Sequence, residues 1–142
     1  MQVISSGGFR EVAEFGDISG KLARKYGAQG VLLDAPTRDI KLIKKDRFPI
    51  FSDGVQPIDA YGKWQIVEFE VTISMPGIDG IVEINPGDYI YGDSDAVIVI
   101  PKELVEEVLI SAENRLVKEN KVREELLNAN DIQELYDRVG RW

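Results

Sequence analysis

Apolar residues in the first fifty positions alternate between strand-length runs and helical spacing. Three short apolar runs are predicted as strands, at 3–6, 31–33 and 47–52. Between them, apolar residues recur at three- and four-residue spacing after Gly16-Asp17 and again over 38–45, which predicts two helices. The run Val31-Leu32-Leu33 has no polar alternation, which is typical of a strand buried on both faces. This half therefore predicts a β-α-β-α-β unit of α/β class with right-handed crossovers.

The second half is predicted as short strands followed by helices. Residues 65–73 alternate strictly, with Val67, Phe69 and Val71 on one side and Glu68 and Glu70 on the other, which predicts a strand. Further strands are predicted at 81–84, 89–91 and 96–100. From Pro101 an apolar stripe at helical spacing runs toward Leu127, and a last short helix is predicted over 131–139. We therefore predict a core domain over 1–101 and a C-terminal helical extension over 102–142.

The amino-acid composition excludes several kinds of catalytic and metal-binding chemistry. The 142 residues include no cysteine and no histidine, which excludes disulfides, thiol catalysis, imidazole ligands and a Ser-His catalytic pair. The formal charge of -8 argues against a nucleic-acid partner. No apolar run is long enough to span a membrane, and the N-terminus lacks the pattern of a secretory signal, so a cytoplasmic protein is expected. Any catalysis must use carboxylates, Arg, Lys, hydroxyls or a metal held by oxygen.

The stretch 15–39 contains the candidate chemistry. The residues Gly16-Asp17-Ile18-Ser19 open a helix whose free backbone N–H groups could bind an anion, with Asp17 or Ser19 as the expected N-cap. Arg38 and Asp39 follow a buried strand, at the sheet edge where α/β folds place their sites. Arg38 offers a planar fork to a carboxylate, and Asp39 could ligate Mg²⁺. Plain helix capping and a surface ion pair explain the same residues without a ligand, and spacing alone does not decide.

The combination of motifs resembles one known family, which holds the regulator of ribonuclease activity A and the class II pyruvate aldolases that act on 4-hydroxy-4-methyl-2-oxoglutarate. That family carries Gly-Asp followed, after twenty further residues, by Arg-Asp, as Asp17 and Arg38-Asp39 do here. Other similar segments are Gly27–Val31, Phe48–Phe51, Asn85–Asp88 and Gly92–Pro101.

The resemblance implies a swivelling β/β/α fold assembled as a homotrimer or a hexamer. It implies that backbone amides of Gly16, Asp17, Ile18 and Ser19, together with Arg38, bind a small 2-oxo acid, and that Asp39 holds Mg²⁺ or Mn²⁺ largely through waters. Arg38 and the cation would stabilise a pyruvate enolate formed by aldol cleavage or by oxaloacetate decarboxylation. Asp17 would help to carry the proton.

Four departures from the family pattern keep a second function open. Leu42 stands where the family has an acid, Ala35 and Ala96 stand where it has glycine, and its first strand-helix-strand block has no counterpart in these residues. A partner chain could supply that block. The alternative to a lyase is a non-catalytic regulator that binds a protein such as a ribonuclease, which the acidic composition and the altered positions favour.

Overall fold

The computed structural model describes residues 1–129 and 131–140. Contacts divide the chain into two compact units, Met1–Pro101 and Lys102–Trp142. None of the helices within the described ranges is both long and apolar enough to cross a membrane.

A three-stranded parallel sheet forms the centre of the first unit. Its strands are β1 (Gln2–Ile4), β2 (Val31–Leu33) and β3 (Ile50–Phe51), in the order β1-β2-β3. Helix α1 (Asp17–Lys25) connects β1 to β2, and helix α2 (Ile40–Asp46) connects β2 to β3. The predicted β-α-β-α-β order is confirmed, although β3 is shorter than the predicted strand and α2 begins two residues after Arg38.

The core of this unit lies between β2 and helix α1. Val31, Leu33 and Ala35 are buried, and the rings of Phe15 and Phe48 stack beside them with centroids 6.3 Å apart. Gly20 faces this cluster, because a Cβ there would lie 3.4 Å from the Phe48 ring. Ala35, at a position where the resemblance leads us to expect glycine, is fully buried in this core.

The apolar face of α1 predicted from its spacing does not face this core. Ile18, Leu22 and Tyr26 are 77%, 55% and 80% exposed, and the helix packs through Gly20 and the partly buried Ala23. The reason is steric: small residues let the helix approach the two phenylalanine rings closely.

Two antiparallel hairpins complete the first unit. Strands β4 (Ile73–Gly77) and β5 (Gly80–Ile84) form one, and β6 (Tyr89–Gly92) and β7 (Val97–Ile100) form the other. A Cβ at Gly92 would lie 2.6 Å from the Phe51 ring, so glycine allows the second hairpin to contact β3 closely.

The strand predicted over 65–73 is wrong except at its last residue. Only Ile73 belongs to a strand, and 65–72 makes no backbone hydrogen bond to another backbone group of the described residues. Val67 and Phe69 are 80% and 76% exposed, and Glu70 has a left-handed φ of 53°. Alternation indicates a strand only where a neighbouring strand accepts its backbone hydrogen bonds, and the described chain offers none here.

The second unit is helical. A 3₁₀ turn (Lys102–Leu104) leads into α3 (Val105–Asn128), and α4 (Ile132–Val139) follows. Leu135 of α4 is fully buried, and Arg138 pairs with Glu125 at 2.9 Å and with Glu134 at 3.4 Å. The Asp131 side chain caps α4 by accepting from the amide of Glu134.

Candidate active site

Helix α1 begins beside the loop that follows β2. Its N-cap is Gly16, with no side-chain cap, so the expectation of Asp17 or Ser19 as N-cap is wrong. The physical reason is that a residue from the loop after β2 caps the helix instead: Asp39 Oδ2 accepts a hydrogen bond from the backbone N–H of Asp17 at 3.3 Å. The Asp17 carboxylate is turned instead toward Lys21.

A buried threonine joins the two segments. Thr37 has no exposed surface, and its Oγ1 donates to the Phe15 carbonyl at 2.8 Å. The backbone N–H of Arg38 donates to the same carbonyl at 2.9 Å. These two hydrogen bonds hold the loop after β2 against Phe15, the residue before Gly16. The side chains of Arg38 and Asp39 therefore lie against Gly16.

Gly16 permits this close approach. A Cβ at Gly16 would lie 2.7 Å from Asp39 Oδ2 and 3.3 Å from Arg38 Nε. Its φ of -143° is accessible to any residue, so the requirement for glycine is one of space. Asp39 itself is the N-cap of α2 in a left-handed conformation, with φ 60°, which aspartate tolerates better than most residues.

Arg38 is shared between two aspartates. Its Nη1 binds Asp59 Oδ2 at 2.6 Å, and its Nε lies 3.6 Å from Asp39 Oδ2. The bond to Asp59 raises the pKa of Arg38, and the same bond, with the Tyr61 amide, lowers the pKa of Asp59. Within the part of the chain that the structure describes, Nη2 has no hydrogen-bond partner, so one edge of the fork can take a ligand carboxylate or enolate oxygen.

The Asp17 side chain lies in a different ion pair. Its Oδ2 binds Lys21 Nζ at 2.8 Å, and Lys21 also approaches Asp46 at 3.4 Å. The hydrogen bond from Lys21 lowers the pKa of Asp17. The backbone N–H of Asp17 is therefore at the site, whereas its carboxylate is held as a weakly basic anion.

A small cavity joins these groups. It measures about 180 Å³ and is lined by residues 13–19, Arg38, Asp39, Asp59, Ala60 and Trp64. The structure thus brings together Gly16, Asp17, Ile18, Ser19, Arg38 and Asp39, the six residues that sequence reasoning selected. A three-carbon acid and an ion are small enough for this volume.

The fit to a divalent cation rests on one carboxylate. Asp39 Oδ2 is engaged by the Asp17 amide, while Oδ1 makes no hydrogen bond to the described residues and the side chain is 35% exposed. No group of three acidic side chains in the described ranges is arranged to hold a metal. This donor set fits Mg²⁺, which commonly keeps most of its waters and takes one or two carboxylates.

Sequence reasoning missed two acids near these elements. Asp59 lies 21 residues after Arg38, and none of the motifs that selected the other site residues included it. Glu14 is 6% exposed, and neither of its carboxylate oxygens has a hydrogen-bond partner among the described residues. Burial raises the pKa of Glu14, with Asp34 adding to the rise, while the nearby Ser6 hydroxyl, which donates to Asp34, opposes it only in part.

Comparison with known proteins identifies the family of the chain. The family model "RraA-like: Aldolase/RraA" matches residues 1–99. The uncharacterized protein MJ0644 of Methanocaldococcus jannaschii is 34% identical over 134 residues, which cover 94% of this chain and 62% of that protein. A Halalkalibacterium halodurans protein named "Putative 4-hydroxy-4-methyl-2-oxoglutarate aldolase" is 38% identical over 115 residues, covering 81% of this chain and 52% of that one.

Solved structures share the fold. A protein from Pseudomonas syringae pv. tomato superposes with a TM-score of 0.84 at 26% identity, covering 94% of this chain and 64% of that one. RraAS2 of Streptomyces coelicolor, described as an unusual member of the RNase ES inhibitor RraA protein family, superposes at 0.73 with 24% identity, covering 87% of this chain and 61% of that one. The predicted α/β fold of this type is confirmed. The chain spans about half to two thirds of the length of these relatives, and it belongs to the RraA-like family of aldolases and RraA proteins.

Proposed function

We propose that this chain carries the site of a divalent-metal-dependent lyase acting on pyruvate-containing acids, of the type that cleaves 4-hydroxy-4-methyl-2-oxoglutarate or decarboxylates oxaloacetate. The proposal depends on one observation: Arg38, Asp39 and the first amides of α1 converge on one cavity because Gly16 leaves room for both side chains. The name of the Halalkalibacterium relative, a 4-hydroxy-4-methyl-2-oxoglutarate aldolase, supports the same reaction class.

Substrate binding follows from the donors around the cavity. The backbone N–H groups of Gly16, Ile18 and Ser19 lie at the positive end of α1, which favours a carboxylate, whereas the N–H of Asp17 already donates to Asp39. Arg38 Nη2 adds a charged donor beside them. Because Arg38 Nη1 already binds Asp59, the substrate uses the remaining edge of the fork or displaces the aspartate.

The chemistry requires an acceptor for negative charge. In aldol cleavage the C–C bond between the two halves of the substrate breaks, its electron pair forms the enolate of one pyruvate, and the hydroxyl group loses its proton to become the carbonyl of the other half. In oxaloacetate the C–C bond to the leaving carboxylate breaks, its electron pair stays behind as the same enolate, and CO₂ departs; in both reactions the enolate then takes up a proton. Arg38 stabilises the developing enolate oxygen electrostatically. Asp39 would hold Mg²⁺ or Mn²⁺, which supplies Lewis-acid stabilisation of the same charge.

The reaction also needs a group that carries a proton. Asp17 is the candidate, but Lys21 holds its carboxylate as a weak base. Proton transfer through Asp17 therefore requires this ion pair to open. Asp17→Asn should lower kcat more than KM if the carboxylate carries the proton, whereas Asp46→Asn, which removes the other partner of Lys21, should leave kcat unchanged.

An oligomer is part of the proposal. Ile18, Leu22 and Tyr26 form an exposed apolar stripe on α1, and Ile18 also lines the cavity. A second copy packed on this stripe would exclude water from the site, which supports a homotrimer or a hexamer. Sedimentation of the chain measures this directly, and Leu22→Lys should dissociate the assembly.

The experiment is an assay of pyruvate release from oxaloacetate and from 4-hydroxy-4-methyl-2-oxoglutarate, with Mg²⁺ and with chelator. We expect metal-dependent release that Arg38→Ala and Asp39→Asn abolish, and that Arg115→Ala, a surface arginine of α3, leaves intact. Release that is unaffected by Arg38→Ala would refute the lyase proposal.

The alternative is a regulator that binds a protein partner such as a ribonuclease. The formal charge of -8 and the change to Leu42 favour it, because a protein surface can use acidic side chains without a complete catalytic set. Stable ribonuclease binding that inhibits RNA cleavage, together with no turnover of either acid, is the result that would favour the regulator.

A further inference from the structure

The turn over residues 60–64 forms part of the wall of the candidate cavity. The Ala60 carbonyl accepts from the backbone N–H groups of Lys63 at 2.9 Å and of Trp64 at 3.2 Å, which closes the turn. Asp59, just before the turn, accepts from the Tyr61 amide at 2.8 Å through Oδ1, while its Oδ2 binds Arg38. These bonds hold Trp64 within one turn of the aspartate that pairs with Arg38.

Trp64 is the large apolar residue that this turn adds to the cavity. Ala60 and Trp64 are half-buried and line the cavity, whereas Tyr61 is 93% exposed and is not among the described residues that line it. Phe15, the other aromatic residue of the lining, is 4% exposed and stacks on Phe48 in the core. The aromatic surface that a ligand can reach in the cavity therefore comes from Trp64.

The charges of the lining leave few places for a second negative group on the ligand. Among the described residues that line the cavity, Arg38 is the only cation, and four are acids: Glu14, Asp17, Asp39 and Asp59. A ligand carboxylate placed away from Arg38 therefore depends on a cation held by Asp39 or on water. The surface that Ala60 and Trp64 add is apolar, so it suits an uncharged part of the ligand.

We propose that Trp64 determines which 2-oxo acids this site accepts, by packing against an apolar substituent on C4, the carbon that carries the hydroxyl group in an aldol substrate. The favoured ligand is a 2-oxo acid with a methyl group or another small apolar group at C4. This inference rests on the proposed function, because it takes the pyruvate part of the ligand to lie against Arg38 and the start of α1. Burial of one methyl group against an apolar side chain favours binding about fourfold.

The test compares two acids that differ by one methyl group, 4-methyl-2-oxoglutarate and 2-oxoglutarate. Neither acid has a hydroxyl group on C4, so neither undergoes aldol cleavage while its dissociation constant is measured by calorimetry with Mg²⁺ present. The wild type is compared with Trp64→Ala and with Trp64→Leu and Trp64→Gln, two replacements of similar size and different polarity. Tyr61→Ala, in the same turn, is the matched control. Oxalate, which has no substituent, is titrated into each protein to show that the rest of the site is intact.

We expect the wild type to bind the methyl-bearing acid about fourfold more tightly than 2-oxoglutarate. Trp64→Ala and Trp64→Gln should bring the two dissociation constants within about twofold, while Trp64→Leu and Tyr61→Ala keep the preference and oxalate affinity stays unchanged. If Trp64→Ala no longer binds oxalate, the comparison of Trp64→Leu with Trp64→Gln decides.

Two other results would overturn the inference in distinguishable ways. An undiminished preference for the methyl-bearing acid in Trp64 variants that still bind oxalate would remove the role of Trp64 and leave the lyase proposal standing. A wild-type protein that binds neither oxalate nor the two longer acids would refute the proposed site itself, and the role of Trp64 with it.

Discussion

The guanidinium of Arg38 divides its donors between two aspartates and an open edge. A substrate carboxylate that approaches Nη1 competes with Asp59, whose ion pair with Arg38 is open to solvent and therefore weak. The ion pair orients the guanidinium, but it also reduces the charge that the ligand meets. Asp59 is thus expected to tune affinity and not to take part in bond breaking.

Replacing Asp59 tests this competition. Asp59→Asn should lower the KM for the 2-oxo acid by up to about fivefold, since the ligand no longer displaces a carboxylate, with kcat little changed. Steady-state kinetics check it, with Asp53→Asn as the control, because Asp53 pairs with Arg10 away from this cavity. A higher KM in Asp59→Asn would mean that the ion pair mainly positions Arg38.

Glu14 makes the stability of the protein depend on pH. Burial raises its pKa in the folded state, so the folded state holds this proton more tightly than the unfolded chain does. The stabilisation is complete below the unfolded pKa and is lost as the pH rises through the folded pKa.

The variant Glu14→Gln should remove the loss of stability at higher pH. We expect the free energy of unfolding of the wild type to fall as the pH rises above the ordinary carboxyl range, and Glu14→Gln to flatten the decline by about 1–3 kcal/mol. Urea unfolding across pH measures it, with the exposed Glu11→Gln as control. The same slope in the wild type and Glu14→Gln would show that Glu14 is ionised when folded.

At the scale of elements, the candidate site lies where the N-termini of α1 and α2 come together. Helix α1 begins at a glycine and α2 begins at a left-handed aspartate, and Thr37 holds the intervening loops together. Each start supplies what the other lacks: Asp39 accepts from the Asp17 amide, and the space at Gly16 receives the Asp39 side chain.

Two glycine variants of α1 separate space at the site from helix stability. Gly16→Ala should displace Asp39 and weaken Mg²⁺-dependent ligand binding by about tenfold or more, because a Cβ would lie 2.7 Å from Asp39 Oδ2. Gly20→Ala should keep binding and raise stability by up to about 1 kcal/mol, since its Cβ makes an ordinary contact inside a helix. Calorimetry of ligand binding and thermal unfolding measure both, and equal binding by the two variants would contradict the argument.

Local pattern predicted the elements wherever the chain supplies its own neighbours. The β-α-β-α-β order, strand β5 and the β6–β7 hairpin follow from apolar runs and turns whose partners lie within the chain, whereas β4 overlaps the predicted 65–73 strand only at Ile73. The 65–72 segment did not follow, because pairing depends on a neighbour that alternation cannot reveal. Asp59 and the buried Glu14 were missed for the same reason: their roles come from contacts across the fold, not from spacing.

At the scale of the whole molecule, the chain contains all the residues that we propose bind the ligand, but it spans less than two thirds of the length of these relatives. The cavity of about 180 Å³ is built entirely from residues of the first unit. Ligand binding should therefore be measurable with this chain even where turnover needs further polypeptide or a second copy to exclude water.

The most direct test is calorimetric titration with oxalate, a planar dianion that resembles the pyruvate enolate. We predict binding by the wild type that requires Mg²⁺, is lost or weakened about tenfold or more in Arg38→Ala and Asp39→Asn, and is unchanged in Arg115→Ala. Oxalate binding that needs no cation, or that both site variants retain at wild-type affinity, would contradict the claim that Arg38, Asp39 and the start of α1 form one site.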